Sequence, residues 1–141
     1  MRVLAEAGST NAEAMQAAGP WELVAAEAQR AGRGRLDRTW EAPPGLALTF
    51  SATLPLPTGA PGWAPLVAGL AVADAITAET GLAAGLKWPN DVLLPADAER
   101  KVCGILCEYR PPTPQRPGVV VVGIGLNVAQ SREQLPVPTA T

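Results

Sequence analysis

The stretch AGRGRLDRTW, residues 31–40, places three arginines and two glycines in the eight positions from Gly32 to Thr39. Glycine lets a backbone approach a ligand closely, and a guanidinium fork matches phosphate or carboxylate oxygens. The spacing completes neither the GxxxxGKS/T phosphate loop nor the GxGxxG dinucleotide turn. On these residues alone three readings stay open: a phosphate or nucleotide cradle, a basic arm for nucleic acid, and an ordinary solvated turn.

Other polar positions invite the same question. Positive charge comes from nine arginines and only two lysines, Lys87 and Lys101. In AGLKWPND, Pro89 biases Trp88 toward extended geometry and Pro89-Asn90-Asp91 is turn chemistry. Lys87 is therefore expected at a strand end beside a tight turn, a place where α/β sheets bind ligands, unless it only snorkels there. GIGLNV, residues 123–128, closes a Val-rich run. Its glycines mark a bulge or a close neighbour, and Asn127 offers an amide to a purine edge or simply ends the strand. GSTN, residues 8–11, sets two hydroxyls and an amide at a helix start, fit for a neutral polar ligand or for plain capping.

The bulk composition bounds the chemistry. With no histidine, Ser-His-Asp catalysis, His-based metal sites and imidazole acid–base chemistry are excluded. A net charge of −2 argues against a surface that is basic throughout, so any positive site must be local. Phe 1 and Tyr 1 leave few aromatics for stacking bases, which further disfavours nucleic acid. Cys103 and Cys107, on one strand face, would sit about 13 Å apart, too far to bridge, and read as buried thiols. No run reaches the ~18 apolar residues of a bilayer span, and no signal-peptide core opens the chain. A cytoplasmic protein without membrane partners is expected.

At 141 residues the chain fits one domain, 1–141, with a core of its own. RVLAEA reads as an opening strand, and GSTNAEAMQAAG as a short helix capped by Ser9 or Thr10 and stopped at Gly19-Pro20. WELVAAEAQ and GLALTFSATLPLP read as strands, the latter ended by Pro55 and Pro57. A TGAPG turn leads to the longest helix, WAPLVAGLAVADAITAETG, closed by Gly81. AGLKW, DVLL, KVCGILCEY and GVVVVGIGLNV read as strands, the last covered on both faces. RPPTPQRPG is a stiff hairpin loop. The expected class is α/β (α+β): a mixed sheet with one long and one short helix, one of its faces thinly covered.

AEAQRAGRGRLDRTW, KWPND, KVCGILCEY and GIGLNV, preceded by GSTN, together resemble the catalytic module of biotin protein ligases, from about residue 3 to 129. Lipoate ligases share that fold but not the set GRGR, R-x-W, KWPND, GIL-x-E and GIGxN. The resemblance implies that biotin and MgATP give biotinyl-5′-AMP and pyrophosphate. The biotinyl group then passes to one lysine of the biotin carboxyl carrier protein of acetyl-CoA carboxylase. It implies biotin-binding roles for Ser9, Thr10, Asn11, Gln29, Arg33, Gly34, Arg35, Lys87 and Gly104. ATP-binding roles fall to Arg33, Arg35, Arg38, Trp40, Lys87 and Asn127, with Lys87 and Arg35 catalytic and the metal ligands unassigned. Leu36-Asp37 depart from the commoner Arg-Gly, Asp37 adding a negative charge beside the cradle. A monofunctional enzyme without a DNA-binding head is expected, with a homodimer as one possible assembly. The family pattern continues past GIGxN, so the module is expected to lack its C-terminal part, truncated or completed by another chain. The alternative is a protein that binds biotin or its adenylate without turnover.

Overall fold

The computed structural model describes residues 1–36, 38–56, 61–135 and 140. Asp37, Pro57 with most of the TGAPG turn, and most of the PVPTAT tail lie outside the described residues. Seven strands form one sheet: β1 (Arg2–Leu4), β2 (Leu23–Ala26), β3 (Ala47–Pro55), β4 (Gly85–Lys87), β5 (Asp91–Leu94), β6 (Arg100–Arg110) and β7 (Val119–Asn127). Their order is β1-β2-β3-β7-β6-β5-β4. Only β1 and β2 run parallel; the other neighbours are antiparallel. Helix α1 (Thr10–Ala14) links β1 to β2, and α2 (Ala64–Thr80) links β3 to β4. The mixed sheet with one long and one short helix is as expected.

The long central strands β3, β6 and β7 carry the core. Along β7 the side chains alternate between two faces, as the strand period requires. Val119 and Val121 pack with Ala14 of α1 and Val24, while Val120 and Val122 pack with Ala73 of α2, Val92 and Ile105. One helix on each face thus explains why the valine run is continuous rather than alternating. Gly69 brings α2 close to the sheet, because a Cβ there would meet Leu86 at 3.0 Å and Ile105 at 3.6 Å. Gly81 ends α2 in the left-handed region, φ 73°, its N–H bonded to Thr77 O. No helix among the described residues is long and apolar enough to cross a membrane.

Three expectations need correction. The opening strand spans Arg2–Leu4 and the second Leu23–Ala26, both shorter than their apolar runs. Trp21, at φ 71°, bends the chain into β2 instead of extending it, and Ala7 meets Gln29 only in an isolated bridge. The capping expectation holds only in part: Ser9 is the N-cap residue, with extended backbone, but makes no side-chain cap bond. The Thr10 hydroxyl is taken by Gln29 and Ser51 instead. Tertiary partners have captured a group that local sequence assigns to the helix.

Arg110 fastens the end of α1 to the sheet. Its guanidinium donates to Met15 O at 2.8 Å, Ala17 O at 2.7 Å and Pro117 O at 3.2 Å. A cation suits the carbonyl end of a helix, and removing it deprives two part-buried carbonyls and one exposed carbonyl of their donor. Arg110→Ala is expected to lower unfolding free energy by about 2 kcal/mol, read from urea midpoints.

Both cysteines are free thiols on β6. Burial pushes the Cys103 thiol from an ordinary 9.0 up to about 12, Lys101 lowering and Asp91 raising it further. Burial alone pushes Cys107 up to about 11. A folded pKa above the unfolded one stabilises the fold below the unfolded value and is lost as pH climbs. Stability should therefore decline from about pH 9 upward. At about pH 8, iodoacetamide should leave both thiols of the folded protein untouched and label them in urea, as mass spectrometry would read.

Candidate active site

A cleft of about 350 Å³ opens on the α1 side of the sheet. Strand register builds its floor. Lys87 pairs with Asp91, Asp91 with Gly104, Gly104 with Gly125 and Gly125 with Thr49, so these five form one row across the sheet. The next row contains Leu106, Gly123 and Ser51. Directly paired residues share a face, so each row presents its side chains together. At its centre the floor is bare glycine, and other side chains lie directly on it. A Cβ on Gly125 would collide with the Trp40 indole, and one on Gly123 with the Asn11 amide.

The Arg/Gly stretch is a small hairpin that forms a flap over this floor. Arg33 bridges Thr39, Gly34 N–H bonds Arg38 O at 2.7 Å and Trp40 N–H bonds Gly32 O at 2.9 Å. Leu36 turns the tip at φ 55° with its side chain 83% exposed. Arg33 pairs with Glu108 at 2.9 Å, and Arg35 reaches Asn90 Oδ1 at 3.5 Å. Asn90 is itself tied to β6, donating to Ile105 O at 2.9 Å and accepting from Ile105 N–H at 2.9 Å.

A neutral polar network fills one end of the cleft. Gln29 Oε1 accepts from Thr10 N–H at 2.8 Å and from the Thr10 hydroxyl at 3.2 Å. Ser51, fully buried, bonds Thr10 Oγ1 at 2.8 Å and Asn11 Oδ1 at 2.6 Å. The Asn11 amide then donates to Leu106 O at 3.2 Å and Glu108 at 2.7 Å. Each buried polar atom here has a partner, which fixes the shape of this end.

The other end is cationic. Arg35, Arg38, Lys87 and Lys101 line it with Asp91, whereas Arg33 is paired with Glu108 beside Asn11. Lys101 Nζ lies 2.8 Å from Asp91 Oδ1 in an ion pair without hydrogen-bond geometry, that buried oxygen having no hydrogen-bond partner, and stands 5.8 Å from the Trp40 ring. Among the described residues Arg38 and Lys87 make no side-chain hydrogen bond or ion pair. The Trp40 indole N–H is buried without a partner. No cluster of three His, Cys, Asp or Glu that could cage a metal ion exists among the described residues.

Of the residues picked out from sequence, Ser9, Thr10, Asn11, Gln29, Arg33, Gly34, Arg35, Arg38, Trp40, Lys87 and Gly104 all line the cleft. Asn127 does not; it is buried at the end of β7 opposite Ala47. Ser51, Asn90, Asp91, Lys101 and Glu108 belong to the site but were given no role. For Lys101 the obstacle was alternation. Counting back from Gly104 in steps of two puts Lys101 on the far face. A bulge intervenes: Val92 pairs with Cys103 but Leu93 with Lys101. Val102 and Cys103 consequently both enter the core beneath α2, and Lys101 turns to the cleft. Its only sequence signal was the scarcity of lysine.

A neutral polar pocket joined to a cationic one, under a glycine–arginine flap, suits a ligand with a polar ring at one end and phosphates at the other. Residues 10–127 match the biotin/lipoate A/B protein ligase family, and the chain belongs to that family. It is similar to biotin–(acetyl-CoA-carboxylase) ligase of Mycobacterium tuberculosis, 40% identical over 99% of this chain and 53% of that protein. Its likeness to the enzyme of that name from Paracoccus denitrificans is 45% identity over 90% of this chain and 54% of the relative. Among solved structures it resembles biotin protein ligase from Aquifex aeolicus in complex with biotin and ATP. There the TM-score is 0.79 and identity 34%, over 99% of this chain and 57% of that one. Biotin protein ligase of Leishmania major in complex with biotinyl-5-AMP gives a TM-score of 0.75 at 28% identity, over 99% and 61% of the two chains. The chain spans about half the length of the curated relatives it matches. The expected fold and family are therefore those found.

Proposed function

We propose that this cleft activates biotin with ATP and that its product, biotinyl-5′-AMP, donates the biotinyl group to a lysine of a biotin carboxyl carrier protein. The observation that carries the reading is one continuous cleft lined by the neutral polar groups Thr10, Asn11 and Gln29 and by four cations, Arg35, Arg38, Lys87 and Lys101. A ureido ring needs both donors and acceptors, which hydroxyls and amides supply. The acyl chain would pass beside Lys101 and Trp40, whose side chains lie over the bare Gly104 floor.

In the first step a biotin carboxylate oxygen attacks the α-phosphorus of ATP. The bond to the bridging oxygen breaks and pyrophosphate leaves. Two anions must approach and charge builds on the phosphoryl oxygens, so fixed cations there lower the barrier. Lys87 and Arg35 are assigned to this charge, and Lys101, ion-paired with Asp91, joins them. In the second step a neutral lysine amine attacks the acyl carbon, AMP leaves and the amine loses a proton. The flap, with Arg38 and Trp40 at its base, would exclude water that otherwise hydrolyses the mixed anhydride. Asn127, outside the cleft lining, would serve the nucleotide only from beneath the end of β7. Magnesium would enter with the triphosphate and be held mainly by its phosphates, because Asp91, the carboxylate lining the cleft, is paired with Lys101.

Purified protein incubated with biotin and α-labelled ATP should form labelled biotinyl adenylate, and a carrier domain added afterwards should become biotinylated. Biotin binding by calorimetry without pyrophosphate release would favour the second reading, a binding protein without turnover, which the half-length match to the relatives keeps open. Neither binding nor adenylate from folded protein would remove both.

A further inference from the structure

The geometry points to Glu108 as a positioning residue that latches the arginine flap onto the floor of the cleft. One of its carboxylate oxygens, Oε2, accepts from two directions at once. Asn11 Nδ2 reaches it from the floor at 2.7 Å and Arg33 NH2 from the flap at 2.9 Å. Asn11 is locked in turn by Ser51 at 2.6 Å, and Ser51 by Thr10 at 2.8 Å. An unbroken chain of bonds therefore runs from the buried centre of β3, through the neutral pocket, to the base of the flap.

Two consequences follow for the site. First, Glu108 fixes which way the Asn11 amide faces. With its oxygen taken by Ser51 and its nitrogen by Glu108 and Leu106 O, Asn11 cannot flip without breaking three bonds. Second, Arg33 is already neutralised. Its charge is spent on Glu108, whereas Arg38 has no partner among the described residues and Arg35 only a long contact with Asn90. Arg33 thus acts as the pin on which the flap closes, and the phosphate charge falls to Arg35, Arg38 and the lysines. Holding the flap near its working position before ligand arrives lowers the ordering cost of binding. That second step rests on the proposed function; the latch itself does not.

The test separates the two. In ligand-free protein, trypsin cleavage after Arg35 and Arg38 reports flap opening. Glu108→Gln removes the charge at constant size, and Arg33→Gln removes it from the other side at a half-exposed position that does not threaten the fold. Each is expected to speed cleavage about fivefold, the scale of a part-exposed ion pair, and the double variant no further than either single one. With biotin and ATP, both variants should raise KM about fivefold with kcat within twofold. Unchanged cleavage in Arg33→Gln, or effects of the two variants that multiply, would overturn the latch. Faster, non-multiplying cleavage in a protein that makes no adenylate would uphold it while removing the proposed function.

Discussion

Lys101→Ala is expected to slow biotinyl-adenylate formation by about a hundredfold to a thousandfold, the range for loss of a single preorganised charge at a reacting centre. Lys87→Ala, at the lysine assigned the main catalytic role, should likewise slow it by orders of magnitude, and the comparison is the informative part. Both lysines line the cleft, but Lys87 stands at a strand end without a partner among the described residues. Lys101 is ion-paired with Asp91 over the glycine floor, where a Cβ on Gly104 would lie 3.1 Å from its Nζ. The charge of Lys101 is partly compensated by its ion pair, whereas that of Lys87 has no protein partner among the described residues and is available to the reacting anions. Single-turnover formation of labelled adenylate measures both variants, with melting temperatures to show that each is folded. Equal and small effects from the two would leave the cleft without its proposed electrostatic centre.

Gly123→Ala is expected to destabilise the fold by about 2–4 kcal/mol and to abolish biotin binding. The added methyl would occupy the space of the Asn11 amide. Displacing Asn11 breaks its bonds to Ser51, Leu106 O and Glu108 together, and leaves the fully buried Ser51 hydroxyl short of a partner. Urea melts and biotin calorimetry would read the two effects. Gly125→Ala is a useful companion, because its methyl meets the Trp40 ring rather than a hydrogen-bond network. It should therefore displace the flap's base while costing less stability. Wild-type stability and binding in Gly123→Ala would mean that the close approach of Asn11 to β7 is not required.

Much of the site could be read from the chain because its residues cluster in short local motifs. GSTN, the Arg/Gly stretch and KWPND each form a turn or a helix start, where a few adjacent residues determine the backbone. Their side chains line one cleft. The residues that went unassigned are those whose role depends on a strand partner. Ser51 matters because β3 register sets it against Gly123 and Asn11, and Glu108 because β6 carries it beneath Arg33. Asn127 shows the converse: its residue type suggested a ligand contact, but its position at the end of β7 places it outside the cleft lining.

By itself the sequence determined the elements: apolar periods of two and of 3.6, punctuated by Gly, Pro and Asn, specify strands, the long helix and the turns between them. It also determined the kinds of group available, arginine and lysine without histidine, and so the chemistry open to the protein. Tertiary structure decided which of those groups meet. A single extra residue in β6 turned Lys101 toward the cleft, and the pairing of Gly104 with Gly125 cleared a floor for Trp40. Side-chain type is a local property, but the face a strand residue presents depends on the count of residues opposite it, and that count is fixed only when the strands pair.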